Sequence, residues 1–119
     1  MRPLTPLLLA TAAAGSIVVG SALAAGSTTL NGTVGPGFTI SLTQGGKAVK
    51  TLKAGSYTIA VSDKSNIHNF RLTGPGLNKS ITTVPATGSK SIKVTLKKGT
   101  YKYVCDPHAS AMKGSFKVT

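Results

Sequence analysis

The chain has 119 residues but only one cysteine, two acidic residues and two histidines. Each scarcity excludes something. With Cys105 alone, no disulfide can form within the chain. With only Asp63 and Asp106 against fourteen Lys and Arg, the formal net charge is +12. Such an excess raises solubility and favours acidic partners or attachment to anionic surfaces. It is not read as nucleic-acid binding: aromatics make up 5% of the chain, they fall into core-like alternation, and no nucleic-acid motif is present. Helical periodicity is missing over any ten residues after the N-terminal segment, which excludes a helical bundle. Long apolar runs are missing too, apart from Leu7 to Gly20, which is short for a membrane span. Arg2 precedes that run and Ala22-Leu23-Ala24 follows it as an A-x-A site. Residues 1–24 are therefore expected to be a signal peptide cleaved after Ala24, with an uncleaved membrane anchor as the alternative. Residues 25–119 are then the exported mature protein, close to the ~100 residues of a small sandwich domain.

What is present is β periodicity. Leu30 to Val34 reads as a short edge strand. Gly35-Pro36-Gly37 is a turn, after which Phe38, Ile40 and Leu42 alternate with Thr39, Ser41 and Thr43. Ala48 to Leu52 is a weak strand. Tyr57, Ile59 and Val61 form one face of the next; His68, Phe70 and Leu72 form one face of another. Gly74-Pro75-Gly76 ends that strand, and residues 77–89 read as a long loop with at most a short strand at Ser80 to Val84. Ile92, Val94 and Leu96, then Tyr101, Tyr103 and Cys105, then Phe116 and Val118 complete the alternating sets. Short strands separated by Gly and Pro predict an all-β sandwich. Leu52-Lys53-Ala54-Gly55-Ser56-Tyr57 and Leu96-Lys97-Lys98-Gly99-Thr100-Tyr101 share Leu-Lys-x-Gly-x-Tyr. A tyrosine just after such a turn can bond back to the backbone, as at the corners of Greek-key sandwiches.

The last strand–loop–strand carries a thiol, an imidazole and a thioether within eight residues, Cys105, His108 and Met112. Cys105 alone reads equally well as an inert buried thiol. In an oxidising compartment a lone reactive thiol is a liability that binding to a metal removes. His68 alone reads more often as a core histidine satisfied by a hydrogen bond. Taken together, two imidazoles, a thiolate and a thioether match a trigonal His₂Cys copper site with a weak axial Met.

On His68-Asn69 and on Cys105-x-x-His108-x-x-x-Met112 before the final strand, the chain resembles the cupredoxin family. The resemblance runs from about Val34 to Thr119. It implies a Greek-key β-sandwich of about seven to eight strands and a single type 1 copper ion held by His68, Cys105, His108 and Met112. It implies a monomeric carrier of single electrons between redox partner proteins, acidic ones given the charge, rather than an enzyme. It also implies that Asn69 ties the first ligand strand to the ligand loop and that Pro107 stiffens this loop. His108 would then lie near the surface. Ala109 and Ala111, with the Gly35-Pro36-Gly37 and Gly74-Pro75-Gly76 turns, would form a flat apolar docking patch. The alternative is a copper-handling protein without a shuttle role. Such proteins favour exposed sites rich in Met and His, whereas this chain has two Met, one of them the initiator. Copper enzymes of the superfamily need further His ligands, and none remain beyond His68 and His108.

Overall fold

The computed structural model describes residues 28–119. The expected signal peptide and its cleavage after Ala24 lie outside the described residues. Ten strands follow one another: β1 (Thr29–Val34), β2 (Ile40–Gln44), β3 (Lys47–Ala48), β4 (Thr51–Leu52), β5 (Gly55–Asp63), β6 (Phe70–Gly74), β7 (Leu77–Thr82), β8 (Gly88–Leu96), β9 (Gly99–Val104) and β10 (Lys113–Val118). Among the described residues the single helical piece is a 3₁₀ turn at Asp106–His108. The strands make two sheets, in the order β3-β2-β1-β5-β8 and β4-β10-β9-β6-β7.

The alternation read from the sequence sets which side chains meet between the sheets. Leu30, Val34, Leu42, Ile59, Val61 and Leu96 face in from the first sheet, and Phe70, Leu72, Ile81, Tyr101, Phe116 and Val118 from the second; all are buried. Two ring stacks fill the middle, Phe70 on Tyr103 at 5.6 Å and Tyr101 on Phe116 at 5.5 Å. Gly32 makes room for the first of these. A β-carbon there would come within 2.9 Å of Phe70 Cε2.

Both Leu-Lys-x-Gly-x-Tyr turns close as expected. The Tyr57 hydroxyl donates to the Lys53 carbonyl at 2.7 Å. The Tyr101 oxygen accepts the Lys97 N–H at 2.9 Å and donates to the Pro75 carbonyl at 2.9 Å, so it also clips the β6–β7 turn.

Four expectations change. β1 is not an edge strand: it lies third of five, antiparallel to β2 and parallel to β5. Parallel pairing joins segments far apart in sequence, so no local pattern announces it. Residues 77–89 are not one loop. β7 pairs along β6 from Leu77 to Thr82, with an irregularity at Phe70/Arg71 that blurs its alternation, and β8 already begins at Gly88. The weak strand at Ala48 to Leu52 divides, β3 pairing with β2 in the first sheet and β4 with β10 in the second. Among the described residues the count is thus ten strands rather than seven or eight, two of them only two residues long.

Candidate metal centre

β5 and β7 run toward one end of the sandwich, and β6 starts there. The register pairs Asp63 with Gly88 and Phe70 with Thr82 at that end, and Gly74 with Leu77 at the other. Four loops therefore gather at one end: residues 35–39, 64–69, 83–87 and 105–112. They bring His68, Cys105 and His108 together across 40 residues of sequence. His68 Nδ1 lies 3.1 Å from His108 Nδ1, and each lies 3.6 Å from Cys105 Sγ. The point equidistant from three atoms so placed is about 2 Å from each, the length of a metal–imidazole bond. His68 and Cys105 are fully buried and His108 is half-buried.

The tautomer of His68 supports a metal rather than a hydrogen-bonded cluster. Its Nε2 lies 2.9 Å from the Gly37 carbonyl, an acceptor only. The proton must therefore sit on Nε2, which turns the lone pair of Nδ1 toward the sulfur and the second imidazole. A backbone carbonyl behind a ligating imidazole is the usual way to fix its tautomer and orientation. Gly35 lets this happen. Its φ is +74°, a left-handed value suited to glycine, and a β-carbon there would sit 3.2 Å from His68 Cδ2.

The ligand loop is closed by its own backbone. Cys105 N–H donates to the Met112 carbonyl at 3.0 Å, and Met112 N–H donates to the His108 carbonyl at 2.8 Å. Met112 is fully buried and belongs to the same core cluster as Cys105. Pro107 stands at the start of the 3₁₀ turn, where no backbone donor is missed.

Asn69 ties β6 to this loop, as the resemblance implied. Its Oδ1 accepts the Asp106 N–H at 2.7 Å, and its Nδ2 donates to Asp106 Oδ2 at 2.9 Å and to Ser80 Oγ at 3.0 Å. Arg71 adds a second tie through Nε to Asp106 Oδ2 at 2.8 Å. Partial burial pushes the Asp106 carboxyl up, but the hydrogen bonds from Arg71 and Asn69 and the charge of Arg71 outweigh it. The carboxyl is held below its ordinary range.

The family model for copper binding proteins of the plastocyanin/azurin type matches residues 37–119. The chain belongs to that family. Its cofactor is a single type 1 copper ion, which the His68, Cys105 and His108 donors fit in number and softness. Solved structures similar to this cupredoxin include reduced rusticyanin, at 23% identity over 78% of this chain and 77% of that one, with a TM-score of 0.53. Auracyanin A of Chloroflexus aurantiacus, described as a "blue" copper protein, matches at 24% identity over 79% and 100% with a TM-score of 0.50. Dithionite-reduced auracyanin of Roseiflexus castenholzii matches at 20% over 78% and 98% with a TM-score of 0.56. At these identities the likeness is one of fold. No curated protein sequence matches significantly.

Two residues of the cupredoxin site escaped the sequence reading. Phe38 was placed on an inward face with Ile40 and Leu42. Instead it precedes β2, is 60% exposed, and sets its ring edge-on to both imidazoles, at 5.4 Å from His68 and 4.9 Å from His108. Gly37, which supplies the carbonyl for His68, reads as a turn residue and as part of the docking patch, not as a partner of the imidazole. Their position directly after Gly35-Pro36 was the available signal, since alternation need not extend into a turn. The Gly74-Pro75-Gly76 turn, expected beside the site, lies at the far end of β6. There Pro75 packs against Gly99 and accepts from Tyr101. It cannot join a docking patch at the metal end.

Proposed function

We propose that this cupredoxin is an exported, monomeric carrier of single electrons, with copper held by His68, Cys105 and His108 in a trigonal set and by Met112 as weak axial ligand. The observation that carries this reading is the convergence of two imidazole Nδ1 atoms and one thiolate sulfur, with His68 locked from behind by the Gly37 carbonyl. Bound copper supplies a one-electron couple. The chain's own residues hold three ligand atoms close together, and the loop bonds among Cys105, His108 and Met112 resist rearrangement. The same burial argues against copper delivery, since His68, Cys105 and Met112 are all 0% exposed. Both histidines of the chain stand at this centre, so no imidazoles remain for a second copper that an enzyme of this superfamily would need.

The metal end also supports docking. The three large exposed hydrophobics among the described residues, Phe38, Ile67 and Val84, all stand on its loops, and Ala109 and Ala111 beside His108 are exposed as well. His108, half-buried, is the ligand nearest an incoming partner. The test is a Cu(II) titration of the purified mature protein followed in the visible. An intense thiolate-to-copper band in the wild type and its loss in Cys105→Ser are expected. A band that survives in the mutant would remove the assignment.

A further inference from the structure

Asp63 is the unexplained charge of this fold. It ends β5 on the inward face, is 3% exposed, and its Oδ2 has no hydrogen-bond partner. The one ion pair among the described residues joins Arg71 to Asp106 and does not involve it. The lysines nearest along the chain and ladder, Lys64 beside it and Lys90 opposite Val61, are both exposed.

Its other oxygen starts a chain of hydrogen bonds that ends one residue before His68. Asp63 Oδ1 accepts the Ser65 N–H at 3.2 Å, and Ser65 Oγ accepts the Ile67 N–H at 3.3 Å. Ile67 precedes His68. Lys64 N–H donates to the Val34 carbonyl at 2.9 Å, pinning the start of the same turn to β1. Ser65 then packs against Gly35, whose β-carbon position lies 2.9 Å from Ser65 Cβ and 3.2 Å from His68 Cδ2. The Asp63 turn thus packs on the Gly35 turn, which lies against the imidazole.

An asparagine would cap this turn equally well, without the cost of a buried charge lacking a partner. The charge therefore needs a reason. Resting on the copper reading above, we infer that Asp63 is a positioning residue for His68 whose buried carboxylate also offsets the charge of the metal centre. Copper(II) with one thiolate carries a net positive charge, and copper(I) with one thiolate carries none. A fixed negative charge at this end therefore favours the oxidised centre.

The test compares Asp63→Asn with Asp63→Ala. Asp63→Asn keeps the acceptor for Ser65 and removes the charge. The expected result is an unchanged blue spectrum, a melting temperature of the metal-free protein no lower than wild type, and a raised reduction potential. The ratio of copper(I) to copper(II) affinity, measured by competition with chelators, should rise several-fold in step. Asp63→Ala also removes the acceptor, and should in addition weaken binding of both copper states and of Co(II), used as a redox-silent probe. An unchanged potential in Asp63→Asn overturns the charge role. Equal Co(II) affinity in the two variants overturns the positioning role. Neither outcome touches the copper assignment, which stands or falls on the wild-type spectrum.

Discussion

Phe38 shows how one side chain shields a site and offers a contact at once. Its ring covers the edges of both imidazoles while more than half of its own surface stays in solvent. An exposed aromatic that is already ordered loses little entropy when a partner covers it, which is why such residues anchor interfaces. Phe38→Ala should weaken a protein partner's affinity about tenfold, about 1.4 kcal/mol, and leave the copper band in place. Binding isotherms with the natural partner would show this; unchanged affinity would exclude Phe38 from the interface. The two corner tyrosines give a second comparison at this scale. Tyr101 is fully buried and its hydroxyl joins Lys97 and Pro75, whereas Tyr57 is half-buried and serves Lys53 alone. Tyr101→Phe should cost about 1–3 kcal/mol in urea denaturation of the metal-free protein, since two groups lose their partner. Tyr57→Phe should cost about 1 kcal/mol or less. A larger loss for Tyr57 would mean that the Lys53–Tyr57 turn, not the Lys97–Tyr101 turn, is the one the fold depends on.

Between elements, the tie from β6 to the ligand loop depends on Asn69 and Arg71 meeting Asp106. The Asp106 carboxyl is held low, so its contribution is present above the ordinary carboxylate range near pH 4 and is lost as pH falls through its lower native value. The melting temperature of metal-free wild type should therefore drop below about pH 4 more steeply than that of Asp106→Asn. Parallel pH profiles would show that the tie does not bear on stability. Half-exposure of the Arg71–Asp106 pair keeps the effect modest. This is also the scale at which the sequence becomes hard to read. Period-two alternation revealed the faces of β5, β6, β9 and β10, and residue spacing singled out His68, Cys105 and His108, which the fold brings together. Pairing did not show: β1 beside β5 and β7 beside β6 are decided by the partner strand, not by their own residues. Phe38 reads as an inward residue by pattern yet stands exposed, and Arg71 is outward as it reads; each acts through a neighbour brought close only by the fold.

Over the whole molecule the two outer faces differ. Outward positions of β1, β2, β5 and β8 are mostly Ser and Thr, and Lys93 is the only charge among them. The second sheet presents Arg71, Lys102, Lys113 and Lys117 outward, with Asp106, already bonded to Arg71, as the adjoining acid. Lys113 directly follows Met112, so this cationic face runs up to the metal end. On the proposed electron-carrier reading, apolar contact around Phe38 and His108 would supply close approach without charge, and the lysines would supply attraction at longer range. Attraction of that kind is screened as salt rises, because the Debye length shortens from ~10 Å at 0.1 M to ~3 Å at 1 M. The second-order rate with an acidic redox protein should fall steeply with ionic strength, and the rate with a neutral small reductant should barely change. Position should matter beyond total charge. Replacing Lys102, Lys113 and Lys117 by Gln should cut the low-salt rate with the acidic protein by about tenfold or more. The same number of changes at Lys47, Lys93 and Lys98 should cost much less. If both triple variants slowed equally, net charge alone would steer the encounter and the cationic face would have no directing role. If neither slowed, the lysines would serve solubility or attachment to an anionic surface, and the partner would recognise the metal end unaided.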